Sequence, residues 1–377
     1  MPAKFSPFKR VSKVFEQIEK SESIKVKPNL IVIANGGEPH LDASFFYFTG
    51  FPYGLFEGSF LLAAKVDGIS VFTSPLEESI ARSNARGIEI YAYPDQKKNE
   101  EKMKQIAVRG ARAIGVNAAE LTYKSFNTIK SIFKGARIID VGDAISAARA
   151  IKDESEIEAI QKACRIASNV YPKIPDLLKD GITESEVAAE IAYEMQKAGG
   201  LGVSFDTIVA FGRNSAQPHY SAGQTKLKKS DFVLLDYGTK YHRYCSDITR
   251  TLTYGRASKE QRRIYEIVQE ALQVGTENCI PTNTGSEVHL KVASVIDSTE
   301  YKGKFIHSTG HSLGLAVHDG PALSKNFKSR LEPGMVVTVE PGIYVPSLGG
   351  VRIEDDVLIT KDRPKVLTSA TRKLIEA

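Results

Sequence analysis

Two largely apolar runs in the second half of this 377-residue chain each end on an acid. Phe232-Val233-Leu234-Leu235 runs into Asp236, and Met335-Val336-Val337-Thr338-Val339 runs into Glu340. Apolar, β-branched runs of this length read as core strands. A carboxylate at the end of such a strand is expensive to bury without a counter-charge. Asp247 follows eleven residues after Asp236, in Cys-Ser-Asp-Ile-Thr-Arg-Thr, and Glu354 fourteen after Glu340, in Gly-Gly-Val-Arg-Ile-Glu-Asp. His311 stands between the two pairs, in the loop Ser-Thr-Gly-His-Ser-Leu-Gly. Four carboxylates and one imidazole suit two divalent cations, whose four positive charges the acids offset. The oxygen-rich set with one nitrogen favours manganese or cobalt, with zinc and iron also compatible, over copper.

Taken singly, each residue has an ordinary reading. Asp236 before Tyr-Gly can open a turn, Asp247 can cap a strand, and His311 can be a loop histidine. Glu340 before Pro-Gly can sit solvated at a strand end, and Glu354 can share an acidic edge with Asp355 and Asp356. Their occurrence together and in order argues against five separate coincidences.

The length favours two domains. A content of 42% hydrophobic and 25% charged residues is that of a soluble globular chain, and no stretch approaches the roughly 20 apolar residues of a membrane span. The opening segment MPAKFSPFKRVSKVFEQIEK reads as a basic amphipathic helix without the apolar core of a secretion signal. Three widely spaced cysteines, Cys164, Cys245 and Cys279, do not make a disulfide framework, which points to a reducing, cytoplasmic location. The net charge of +5 is spread among acids with no basic stripe beside aromatics, so neither nucleic acid nor membrane is expected as a partner.

The first 140 residues alternate strands and helices, with strands expected at Asn29–Ala34, Phe45–Phe48, Ser59–Ala64, Ser70–Thr73, Ala113–Val116 and Arg137–Asp140. A helix is expected from Ser74, with Pro75 in its first turn and Glu77 completing a capping pair. This predicts an α/β domain with a mixed sheet over residues 1–145. No GxGxxG or Walker A sequence supports a nucleotide fold. From 151 to 377 the order becomes helices, strands, helices, strands, which hints at a duplicated α+β unit. Capping pairs at Asp153/Glu156, Thr183/Glu186, Ser258/Gln261 and Thr284/Glu287 mark four helix starts. Strands are expected at Asp206–Phe211, Asp231–Asp236, Ile248–Tyr254, Met335–Glu340 and Val351–Ile359.

The ordered set Asp236, Asp247, His311, Glu340, Glu354 resembles the metal ligands of the pita-bread metallopeptidases, the family of prolidase, aminopeptidase P, methionine aminopeptidase and creatinase. The resemblance covers residues 151–377 as the catalytic domain. The segment Asp42 to Phe51, ending Phe-Tyr-Phe-Thr-Gly-Phe, resembles the amino-terminal domain of the creatinase and prolidase branch. It implies that Asp236 holds one metal, that His311 and Glu340 hold the other, and that Asp247 and Glu354 bridge them. The pseudo-twofold duplicated unit belongs to the same expectation. Two departures stand beside the ligands: Ser312 follows His311 where the family often has glycine, and Val-His-Glu becomes Val317-His318-Asp319.

The resemblance extends to accessory residues. His219 in Gln-Pro-His-Tyr, His307 and His318 match histidines of the proline-directed branch, and Arg352 matches an arginine that supports the site electrostatically. Each also has an ordinary reading, as a packing histidine or a structural ion pair. By resemblance Glu340 accepts a proton from the attacking water, while His219 or His318 polarises the scissile carbonyl. The expected substrate is a small peptide with proline at its second position. Methionine aminopeptidase usually lacks the amino-terminal domain, and creatinase lacks the ligands. Prolidase and aminopeptidase P are harder to separate, and the compact length inclines toward the dipeptidase. A non-catalytic binding module would have lost ligands and gained charged tails, and neither sign is present. The family's common homodimer makes His40 and its loop candidates for a partner contact.

Overall fold

A computed structural model describes residues 5–66, 68–107 and 112–377. The chain divides into two compact units, 1–149 and 150–377. In the first, Leu30–Ala34 is buried along its whole length, as a continuous apolar strand covered on both faces must be. It pairs antiparallel with Phe60–Ala64 and parallel with Ala113–Val116. Gly68–Thr73, Glu89–Ala92 and Arg137–Asp140 complete a six-stranded mixed sheet, as expected. The amphipathic opening segment forms the helix Pro7–Lys20, burying Val11, Val14, Phe15 and Ile18, while residues 1–4 lie outside the described residues.

Two expectations for this unit need correction. Phe45–Phe48 is not a strand but the middle of the helix Ala43–Thr49. Asp42 accepts the Ser44 N–H at its start, and Gly50, at φ +64°, ends it. An unbroken aromatic run carries no period, so it cannot tell a buried strand from a helix buried on all sides. Ser74 precedes the helix Pro75–Asn84 without a side-chain capping bond. Glu77 instead accepts the Leu55 and Phe56 N–H groups at 3.2 and 3.0 Å, holding a loop in which Gly54, Phe56 and Gly58 all have positive φ. The strand Glu89–Ala92 escaped the sequence reading because only Ile90 of its four residues is buried.

In the second unit all four capping pairs form reciprocal boxes, opening the helices Glu154–Val170, Glu184–Lys197, Lys259–Asn278 and Gly285–Asp297. Phe232–Tyr237 lies between Ile248–Thr253 and Ile208–Phe211 in one antiparallel sheet. Asp355–Leu358 lies between Val336–Val339 and Lys365–Val366 in another. The expected single strand Val351–Ile359 is broken: Gly349–Arg352 pairs with Gly342–Val345, and the chain then changes partner at Ile353 and Glu354. That switch frees the Glu354 side chain from a sheet face. Gly238 and Gly310 sit where strands crowd, since a Cβ on either would lie 1.9 Å from the carbonyl oxygen of Ser246 or Thr338.

Arg250, fully buried, ties the two sheets together. It donates to Asp355 Oδ1 at 2.8 Å and to the carbonyls of Thr249, Glu354, Ala370 and Thr371. Asp355 also accepts from Thr368 and Arg372. Removing one partner of such a pair leaves an uncompensated buried charge. Asp355→Ala should therefore cost about 3–5 kcal/mol, read as a lowered urea midpoint, and an unchanged midpoint would refute the assignment.

Candidate active site

The acid-bearing strand ends of the second unit converge on a cavity of about 660 Å³. His219, Asp236, Asp247, His307, His311, His318, Glu340, Arg352 and Glu354 all line it, so the five expected ligands and the four accessory residues are brought together. Asp236 lies near the end of Phe232–Tyr237, opposite Thr249, and Asp247 immediately precedes Ile248–Thr253. Glu340 immediately follows Val336–Val339, and Glu354 immediately precedes Asp355–Leu358. Each antiparallel pair thus offers one acid where a strand ends and one where its partner begins. His311 comes from the short strand Gly310–His311, paired with Ala322–Leu323. Phe205, Ile208, Pro218, Val317 and Ala322 supply an apolar wall.

Arg352 is the single cation facing this carboxylate cluster among the described lining residues. Its Nη2 lies 2.6 Å from Asp236 Oδ2, and its Nε donates to Thr249 Oγ1 at 3.2 Å. Thr249 in turn donates to Glu354 Oε2 at 2.6 Å. Its Nη1 donates to the Tyr344 hydroxyl at 3.0 Å, and that hydroxyl lies 2.8 Å from His307 Nε2. His307 Nδ1 lies 2.8 Å from the Ser308 carbonyl, so it carries the proton and Nε2 accepts from Tyr344. Both ring nitrogens of His307 are therefore engaged. Burial, with the nearby Arg352 charge, lowers His307 to about 4, so the ring is neutral at ordinary pH.

His311 is likewise neutral, lowered to about 4 by burial and by neighbouring His318, whose ring centroid is 4.3 Å away. Its Nδ1 faces the Ser312 carbonyl at 3.3 Å, which leaves the Nε2 lone pair directed toward the acids. Nε2 lies 3.6 Å from Asp247 Oδ2 and 3.7 Å from Glu340 Oε1, too far for hydrogen bonds and the wrong polarity for a neutral acceptor. Burial, opposed by Arg352, raises Glu340 to about 8. Burial and the surrounding carboxylates push Asp247 and Glu354 well above the ordinary range. Asp236 Oδ1 and Asp247 Oδ1 are buried with no hydrogen-bond partner. Lone pairs aimed at one another, with orphaned carboxylate oxygens beside them, are what a divalent cation relieves. Donor atoms of Asp247, His311 and Glu354 lie within 4.8 Å of one another, and these residues could hold an ion.

Several contributors were not read from the sequence. Tyr344 and Thr249 connect Arg352 to its neighbours, and their only sequence signal is their place in strands next to acids. Thr338 holds the His311 backbone at 3.0 Å. Glu184, fully buried at a helix start, accepts from Phe211 N, Asn214 Nδ2, the Tyr220 hydroxyl and Gly223 N. It anchors the loop that carries His219, though in the sequence it reads only as a first-turn acid.

Residues 158–361, more than half of the chain, match metallopeptidase family M24. The chain belongs to that family. Residues 29–151 of this M24 metallopeptidase match the creatinase/prolidase N-terminal domain, giving the two-domain pita-bread architecture. It is 39% identical over 268 residues to the Xaa-Pro dipeptidase of Pyrococcus furiosus, covering 71% of this chain and 77% of that one. The solved Xaa-Pro dipeptidase from Bacillus anthracis superposes with a TM-score of 0.88 at 34% identity, over 98% of this chain and 99% of that one. The X-Pro aminopeptidase from Thermotoga maritima gives 0.87 at 31% identity, over 93% and 98%. No helix among the described residues is long and apolar enough to cross a membrane.

The raised Glu340 sets a pH dependence for the metal-free M24 peptidase. Between an ordinary 4.5 and about 8, the folded chain holds a proton that the unfolded chain has released. Stability present below that window is lost as pH rises through about 8. Thermal melts of chelator-treated protein should fall from pH 6 to 9, and Glu340→Gln should flatten the decline. A variant as steep as the wild type would refute the attribution.

Proposed function

We propose that this M24 peptidase hydrolyses the bond preceding proline in Xaa-Pro dipeptides, using two divalent metal ions, manganese or cobalt foremost. The observation that carries this reading is the convergence of four carboxylates, a neutral His311 and the proline-branch histidines on one cavity. The names borne by the Pyrococcus furiosus and Bacillus anthracis proteins support it. In this reading Asp236, Asp247, His311, Glu340 and Glu354 would hold the two ions. When bound, the ions lower the pKa of a water and polarise the scissile carbonyl.

The chain's own residues do the rest. Glu340 accepts the proton of the attacking water and later returns it toward the leaving proline nitrogen. His219 and His318 donate hydrogen bonds to the carbonyl oxygen as it gains charge. His307, with both nitrogens engaged, steadies Arg352 through Tyr344, and Arg352 holds Asp236. A bond before proline has no N–H to satisfy, so its ring can rest on the apolar wall of Phe205, Ile208, Pro218 and Val317. We assign catalysis to residues 151–377, built as a duplicated unit with each half contributing one acid-bearing strand pair, and residues 1–145 to the companion domain. We also propose a cytoplasmic homodimer. Three free, buried cysteines suit a reducing location, and the exposed Tyr53, Leu55 and Leu76 of the His40-bearing first unit offer apolar surface to a second copy.

The Thermotoga maritima match favours a second reading, an aminopeptidase acting on longer Xaa-Pro peptides. Metal-depleted protein reloaded with manganese, cobalt or zinc should cleave Xaa-Pro dipeptides. Cleavage of longer peptides alone would decide for the aminopeptidase, and no cleavage under any metal would sink both. Asp247→Ala should abolish activity and reduce bound metal measured by elemental analysis; an active variant with full metal content would remove Asp247 from the ligand set.

A further inference from the structure

Asp356 is completely buried, yet it lacks the arginine partner that its neighbour Asp355 and the nearby Asp236 possess. Asp355 has Arg250 and Arg372, and Asp236 has Arg352. Asp356 has no ion-pair partner among the described residues. Its Oδ2 accepts the backbone N–H of Asp247 at 3.0 Å and the thiol of Cys164 at 3.1 Å, while its Oδ1 is buried without a hydrogen-bond partner. Three elements meet at that one oxygen. Asp356 belongs to the strand Asp355–Leu358, Asp247 leads into Ile248–Thr253, and Cys164 comes from the helix Glu154–Val170. A carboxylate this deep, with only a neutral amide and a weak thiol donor, is hard to justify as a stabilising element.

We infer that Asp356 is a positioning residue for the metal-binding carboxylate of Asp247, gripping it by its backbone N–H while the Cys164 thiol fixes the Asp356 rotamer. The N–H lies on the same backbone unit as the Asp247 side chain, so its hydrogen bond limits rotation of the residue about its own backbone. Asp247 Oδ1 is the atom this leaves open, and Oδ2 stays 3.6 Å from His311 Nε2. Groups that orient metal ligands in this way typically govern metal affinity by about 10–100-fold. The inference rests on the reading of Asp247 as a metal ligand.

The test is calorimetric titration of manganese chloride into chelator-treated, full-length protein, with the melting temperature of the metal-free form recorded for each variant. Asp356→Ala removes the acceptor for the Asp247 N–H, whereas Asp356→Asn can set its amide oxygen where Oδ2 accepts both bonds and so keeps the grip. Asp356→Ala should bind manganese at least about tenfold more weakly while the metal-free form still melts cooperatively, and Asp356→Asn should stay closer to the wild type; equal weakening in both would trace the effect to charge and overturn the grip. Wild-type affinity in a folded Asp356→Ala also overturns the proposal, because a purely structural residue would move the melt and leave the affinity. If Asp356→Ala does not fold, the cysteine decides: Cys164→Ala should weaken binding and Cys164→Ser, which keeps a donor, should restore it. Wild-type affinity in Cys164→Ala would then overturn the proposal. A folded wild type that binds no manganese would instead remove the metal-site reading itself, and this inference with it.

Discussion

Carboxylates gathered in a largely buried cleft repel one another, and much of the second unit answers that repulsion. Asp236, Asp247, Glu340 and Glu354 share one cavity, with Arg352 as the cation facing them. One positive charge cannot balance four negative ones at low dielectric, so protons or metal ions must make up the difference. The same constraint explains why the acids stand at strand ends. There the backbone is already paired, and the side chains project past the last ladder bond into a common space. Arg250 carries the second burden, neutralising Asp355 on the opposite side of the strand from which Glu354 projects, and holding the Glu354 carbonyl.

Asp236 and Glu340 were legible in the sequence because they contradict their surroundings, and Asp247, His311 and Glu354 through their order and the family resemblance. An acid after four apolar residues is a local conflict, and conflicts of this kind mark sites. Capping boxes were equally legible, since both partners lie three residues apart, and all four of the second unit formed. What failed had a different physical character. Phe45–Phe48 offered hydrophobicity without period, and only tertiary burial made it helical. Glu77 had the right spacing for a cap but was drawn to amides 22 and 21 residues away. The break between Gly349–Arg352 and Asp355–Leu358 is set by a change of strand partner, which no local pattern records.

Supporting residues were the least legible. Thr249, Tyr344, Asp356 and Glu184 act through partners far along the chain: Thr249 meets Glu354, and Cys164 meets Asp356 across 192 positions. Their chemistry is ordinary for their local context, so nothing in a window of sequence sets them apart. Only the folded arrangement shows that Tyr344 links an arginine to a histidine whose other nitrogen is already taken.

The loop that carries His219 hangs from Glu184 at a helix start. It is also tied to the strand Gly349–Arg352, where Ser215 accepts the Gly350 N–H at 2.8 Å and the Pro218 carbonyl accepts from Arg352 at 3.5 Å. The same guanidinium holds Asp236, so the rim of the cavity and its floor of acids share one fastening. A displacement of the rim is felt at the acids through a single side chain.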